Sequence, residues 1–233
     1  MSGSISNLIQ TISVMALPVI LAVALHEVAH GYVAWIKGDD TAKRMGRITL
    51  NPIAHIHWFG TIVLPITFYM ASGFLFAFAK PVPVNFQNLH NPKKDMVWVA
   101  AAGPITNLIL AVISALILKI IIWLNPEASS VAYSNILSHN TSFAGAFIVP
   151  VIYMLHFSVL LNIVLCVINL IPVPPADGGR IVTGLLPDKH AMAYAKMEPY
   201  GFFILIFILL INPLNILNWT IYPLIGGILK LLL

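Results

Sequence analysis

His26, Glu27 and His30 form a His-Glu-x-x-His motif at the end of the apolar run Ala16 to Leu25. On a helix, residues four apart lie about 40° apart and about 6 Å along the axis. Both imidazoles can therefore face one metal ion. Glu27 lies between them and can reach a water on that metal. This is the donor pattern with which zinc peptidases activate water near neutral pH. Ionisable groups in an apolar run are costly and usually functional. The bland alternative, a pair of helix-packing histidines, leaves that cost unexplained.

A catalytic zinc takes three protein ligands and keeps one position open. Asp177, His55, His57, His90, His139, His156, His190 and Glu198 are candidates for the third. Asp177 is best placed: it follows a proline-broken helix end, and Gly178 and Gly179 permit close backbone approach. Alone, an Asp-Gly-Gly reads as a turn or a helix cap. Paired with an embedded His-Glu-x-x-His, it reads as a ligand. His55 and His57 read as groups that line the cavity or satisfy backbone groups.

These residues need elements to carry them. The pattern predicts a first helix from about Ile5 to Trp35, with Pro18 inside it and Gly38-Asp39-Asp40 ending it. Met96–Leu124 and Phe143–Leu170 are long enough to span a bilayer. Gly46–Leu50 reads as a short strand ending in Asn51-Pro52, and Lys80–Asn85 as an extended edge segment. Gly60–Ala79 is apolar, but Pro65 and Gly73 interrupt it and basic residues flank both sides. A re-entrant hairpin keeps both basic clusters on one side; an ordinary span remains open. Pro187–Pro199 reads as a polar connection. Tyr200–Leu233, broken at Asn212-Pro213 and Pro223, reads as two short helices or one kinked helix. If basic loops face the cytoplasm, the first helix ends inside. Met96–Leu124 then goes out and Phe143–Leu170 returns, which delivers Asp177 to the side of His26 and His30.

Composition agrees. The 233 residues are 59% hydrophobic and 9% charged, against about 25% charged in soluble domains. The expected architecture is a polytopic, mainly α-helical membrane bundle with short membrane-associated β segments. It forms one domain over 1–233, with a catalytic core at about 5–185 and C-terminal helices at about 199–233. No sensor, PDZ-like or ATP-binding domain fits in the loops. The charge of +4 flanks apolar segments, so it suits cytoplasmic loops rather than nucleic acid. Cys166 is alone, so no intrachain disulfide forms. The first residues lack the basic start of a cleavable signal peptide.

Three ordered motifs make a resemblance specific. His26-Glu27-x-x-His30, Gly103-Pro104-x-x-Asn107 and Asn169-x-x-Pro172-x-Pro174-x-x-Asp177-Gly178-Gly179-Arg180 together resemble the site-2 protease family of intramembrane zinc metalloproteases. Gly46-Arg47-x-Thr49-Leu50-Asn51-Pro52-x-x-His55 and Ala79–Asn85 resemble its compact prokaryotic branch without a PDZ domain. That branch usually has aspartate and proline where this chain has His57 and Trp58. The resemblance implies a three-helix core around one zinc per chain, sunk below the membrane surface. It implies His26, His30 and Asp177 as ligands, Glu27 as general base, Asn169 as oxyanion donor and Asn107 as a group shaping the site. It also implies a prokaryotic plasma membrane, a site toward the cytoplasm and a transmembrane-helix substrate.

Two other readings make different demands. A transporter would spread ionisable groups over several helices, whereas here they gather at one end of two. A catalytically dead scaffold would carry a broken position, whereas His26, Glu27, His30 and Asp177 are all present.

Overall fold

The computed structural model describes residues 2–63, 67, 80–127, 130 and 143–233. Its main elements are helical: α1 (Ser2–Ile36), α2 (Thr41–Arg44), α3 (Pro92–Leu124), α4 (Phe143–Asn169), α5 (Asp177–Leu185), α6 (Asp188–Ala195), α7 (Glu198–Ile211), α8 (Ile216–Trp219) and α9 (Ile221–Leu232). Among the described residues, three single helices are long and apolar enough to cross a membrane: Ile12–Ile36, Pro92–Leu124 and Phe147–Asn169. These correspond to the three expected spans. This is an integral membrane protein of mainly helical architecture.

The chain forms two compact units. One comprises 1–22, 107–168 and 211–233, the other 23–106 and 169–210. In the first, Ala111 and Ala115 of α3 meet Val159, Ile163 and Val167 of α4, with Ile221, Ile225 and Ile228 of α9 packed against them. Small residues on α3 let the helices approach closely, which is how helices gain dispersion energy in lipid. A polar ladder runs through this unit. Asn107 Nδ2 donates to Asn162 Oδ1 at 2.8 Å and to the Ala22 carbonyl at 3.4 Å. Asn162 Nδ2 donates to the Ser158 carbonyl at 2.9 Å, and Ser114 and Ser158 hydroxyls lie 2.9 Å apart.

In the second unit, Asp39 organises the turn after α1. It is fully buried. Its Oδ1 accepts from the Thr41 hydroxyl and from Asn88 Nδ2, and its Oδ2 from the Asn85 N–H at 2.7 Å. Lys37 and Asp95, 3.1 Å apart, join the end of α1 to the start of α3. Burial works against the Asp39 charge, but the donors from Thr41, Asn85 and Asn88 outweigh it and hold its carboxyl below the usual range. A depressed folded-state pKa stabilises the fold above the unfolded pKa, near 4, and that stability is lost as pH falls through the folded value. Asp39→Asn should therefore lower the melting temperature at pH 7, by a loss on the order of 2 kcal/mol. It should also lose less further stability than wild type on acidification to pH 3. Parallel pH-dependent melts that fall equally for both proteins would refute this.

The expected β segments are not strands. Among the described residues no β-ladder is present. Gly46–Leu50 is turn and bend, and Lys80–Asn85 takes no regular secondary structure. The reason lies in where the backbone donors go. Pro81 and Pro83 have none. Lys80 N–H donates to the His55 carbonyl, Val82 N–H to Glu27 and Asn85 N–H to Asp39. The donor edge a ladder needs is thus committed to loop and side-chain acceptors.

Two further expectations change. Pro187–Pro199 contains α6 rather than an open connection, and α6 and α7 meet at 67°. The tail breaks where Asn212, Leu214 and Asn215 take positive φ, giving α7, α8 and α9. Most of Gly60–Ala79, where the re-entrant hairpin is expected, lies outside the described residues; its start, Trp58–Val63, is π-helical.

Candidate metal centre

α1 carries His26 and His30 one helical turn apart, and both are buried. α3 passes them at Val99 and Gly103. Pro104 has no N–H for the Ala100 carbonyl and loosens the helical ladder around it. The neighbouring Val99 carbonyl accepts His30 Nδ1–H at 2.7 Å. That bond fixes the tautomer and leaves the Nε2 lone pair facing inward, the outer-sphere arrangement of metal-binding histidines. Gly103 provides the room. A Cβ there would lie 2.5 Å from His26 Nε2 and from His30 Nε2.

Asp177 arrives at the first position of α5. Leu170–Ala176 contains a cis Pro174–Pro175 peptide and turns the chain after α4. Gly178 fits where a Cβ would meet the Leu170 carbonyl at 2.3 Å, so the turn closes tightly and brings Asp177 to the histidines. Its Oδ2 lies 3.2 Å from His26 Nε2 and 3.3 Å from His30 Nε2. The two ring nitrogens are 3.1 Å apart.

The donor set fits a zinc ion. Two imidazole nitrogens and a carboxylate oxygen suit zinc. With bonds of about 2.0–2.1 Å and tetrahedral angles, such ligands stand about 3.3 Å apart. Asp177 Oδ2 is buried and has no hydrogen-bond donor in proper geometry, which is costly unless a cation satisfies it. Among the described residues, these three are the group of His, Cys, Asp or Glu side chains that could hold a metal ion.

Glu27, next to His26 on α1, is held by the backbone of another segment. Its Oε2 accepts the Val82 N–H at 2.7 Å. Asn169 closes α4 just before the turn to Asp177. Asn107, fully buried, makes the bonds described above. His55 Nε2 donates to the Thr49 carbonyl at 2.8 Å, and His57 Nδ1 accepts the Gly60 N–H; neither belongs to the triad. His139 lies outside the described residues.

Sequence reasoning missed Asp39, Asn162 and the Val82 contact of Glu27. For Asn162 a signal existed: a lone asparagine inside an apolar span needs a partner.

Comparison with known proteins gives the family. Residues 14–212 match the family model of peptidase family M50. YwhC of Bacillus subtilis (strain 168), named as a candidate zinc metalloprotease, is 34% identical over 213 residues, covering 91% of this chain and 86% of its own. Rip2 of Mycolicibacterium smegmatis, named in the same way, is 30% identical over 196 residues, covering 84% and 66%. No solved structure matches the chain. With most of its length matched, this chain belongs to peptidase family M50, the site-2 proteases, and is a membrane zinc metalloprotease.

Proposed function

We propose that the protein cleaves transmembrane segments of other membrane proteins, with His26, His30 and Asp177 holding one zinc ion per chain. The observation that carries the proposal is the meeting of His26 Nε2, His30 Nε2 and Asp177 Oδ2 within 3.3 Å, with Glu27 beside His26 on a membrane-length helix. Bound zinc supplies Lewis acidity to the attacking water and to the scissile carbonyl. Glu27 takes the proton from that water as its oxygen attacks the carbonyl carbon. It then returns the proton to the amide nitrogen as the C–N bond breaks. Asn169 donates to the developing oxyanion. Asn107 is a further group that helps to shape the site.

The substrate must unwind locally, because a helical carbonyl is held by the N–H four residues on. An unwound strand could lie along Lys80–Asn85. With Val82 N–H committed and prolines on either side, this segment has carbonyls to offer along Val82–Pro83. The whole chain acts as one membrane domain, with its core at about 5–185. The basic residues flanking the apolar segments support a site facing the cytoplasm, and the bacterial relatives support a prokaryotic plasma membrane.

The test is zinc content and cleavage of a single-span protein with a helix-destabilised core, by purified protein in detergent. Wild type should hold about one zinc and cleave. A chelator should stop cleavage, and added zinc should restore it. Asp177→Ala should lose most of its zinc, because two ligands seldom retain the ion. Wild type without zinc, or Asp177→Ala with a full equivalent, would overturn the ligand assignment.

A further inference from the structure

Arg47 is buried, only 8% exposed, and no carboxylate pairs with it among the described residues. A buried guanidinium without an anion is expensive. Its hydrogen bonds show where that charge is directed. One terminal nitrogen, Nη2, donates to the Lys80 carbonyl at 2.9 Å and to the Pro81 carbonyl at 3.3 Å. The Pro81 carbonyl and the Val82 N–H are the two ends of one planar peptide group. The Val82 end donates to Glu27 Oε2 at 2.7 Å. A cation and a carboxylate therefore grip opposite ends of a single peptide.

We propose that Arg47 is a positioning residue for Glu27, acting through the Pro81–Val82 peptide. The role rests on Glu27 being the general base. The peptide can fail Glu27 in one principal way, by rotating about its flanking bonds and turning the N–H aside. Arg47 opposes that rotation at the carbonyl end, and Pro83 narrows the backbone angles open to Val82 at the other end. Charge at both ends also strengthens each bond by polarising the peptide. The supports are firm. Arg47 N–H donates to the Ala42 carbonyl at 2.9 Å and Lys80 N–H to the His55 carbonyl at 2.9 Å. Val82 packs so closely on α1 that a Cβ at Gly31 would meet its Cγ1 at 2.9 Å. The carboxylate of Glu27 is thereby held at one oxygen, which leaves the other to meet water.

The experiment uses full-length protein in detergent. It measures kcat, KM and zinc content for Arg47→Met, Arg47→Lys, Glu27→Asp, Glu27→Gln and the Arg47→Met/Glu27→Asp pair. Arg47→Met should lower kcat about 30-fold, in line with the cost of a small misplacement of a catalytic group. KM should stay within about twofold and zinc at one equivalent. Arg47→Lys, which can still reach one carbonyl, should recover kcat to within about fivefold of wild type. Glu27→Asp is one methylene shorter and gives up the Val82 donor. In the pair, the losses should therefore not multiply.

Multiplying losses, a change in KM alone, or zinc loss in Arg47→Lys would overturn the positioning role. If Arg47→Met does not fold, Arg47→Lys paired with Glu27→Asp decides by the same criterion. Full activity of Glu27→Gln would sink the base assignment itself. An inactive Glu27→Gln beside a fully active Arg47→Met would sink only the inference made here.

Discussion

Glu27→Gln should hold a full equivalent of zinc and cleave at least about 10³-fold more slowly than wild type. The substitution changes one oxygen to an amide nitrogen and little else. Its remaining carbonyl oxygen can still accept the Val82 N–H, which wild-type Glu27 Oε2 takes at 2.7 Å, so the side chain keeps its place. The group that could hold a metal ion, His26, His30 and Asp177, does not include Glu27, so metal content has no reason to fall. What is lost is proton affinity, since an amide oxygen cannot hold a proton near neutral pH. General-base contributions run to about 10²–10⁴-fold, and a peptide bond attacked without base assistance gains nothing in exchange. Single-turnover cleavage beside metal analysis of the same sample separates the effects. Zinc loss would mean that Glu27 helps hold the ion. Cleavage at the wild-type rate would mean that another group takes the proton.

Much of the metal centre was legible because helical spacing is a strict rule. A step of four positions from His26 to His30 places two imidazoles on one face whatever surrounds them. Asp177 was legible for a different reason: the broken segment Asn169–Gly179 had to end near the first helix if basic loops shared one side. The apolar spans were legible from length. What escaped was backbone chemistry. The bond from Val82 to Glu27 crosses 55 positions, and one partner is a main-chain N–H, which has no residue type to announce it. Arg47 shows the same blindness, since its partners are two carbonyls. The β expectation failed at that level too. Alternating Pro and Val in Lys80–Asn85 suits extended backbone, and Asn85 at its end takes extended angles. But a strand needs a neighbour, and the donors here serve the His55 carbonyl, Glu27 and Asp39 instead. Gly103 was visible within a motif, yet the reason for it, room for two rings, belongs to packing.

That room makes Gly103→Ala the most revealing single substitution in the chain. Alanine is the better helix former by about 1 kcal/mol, so α3 on its own should gain. The added methyl, however, would lie 2.5 Å from His26 Cε1, His26 Nε2 and His30 Nε2. Carbon atoms in contact settle at about 3.5–4.0 Å, so the rings must give way by about 1 Å. They have little freedom. His30 is pinned through Nδ1 to the Val99 carbonyl at 2.7 Å, on the same helix that carries the new methyl, and both rings stand on α1. The atoms struck are the two nitrogens that face Asp177. The expected result is a protein with unchanged helix content that binds zinc at least about tenfold more weakly, the scale on which disturbed ligand orientation acts, and has little activity at limiting zinc. Gly226→Ala on α9, where a Cβ meets nothing within 4 Å, should leave zinc and cleavage untouched. Competitive zinc titration of both variants, with circular dichroism of the metal-free proteins, tests the pair. A Gly103→Ala protein with wild-type zinc affinity would show that the ion sits away from these nitrogens. A loss of helix content would show that the methyl disrupts the helices before it reaches the metal.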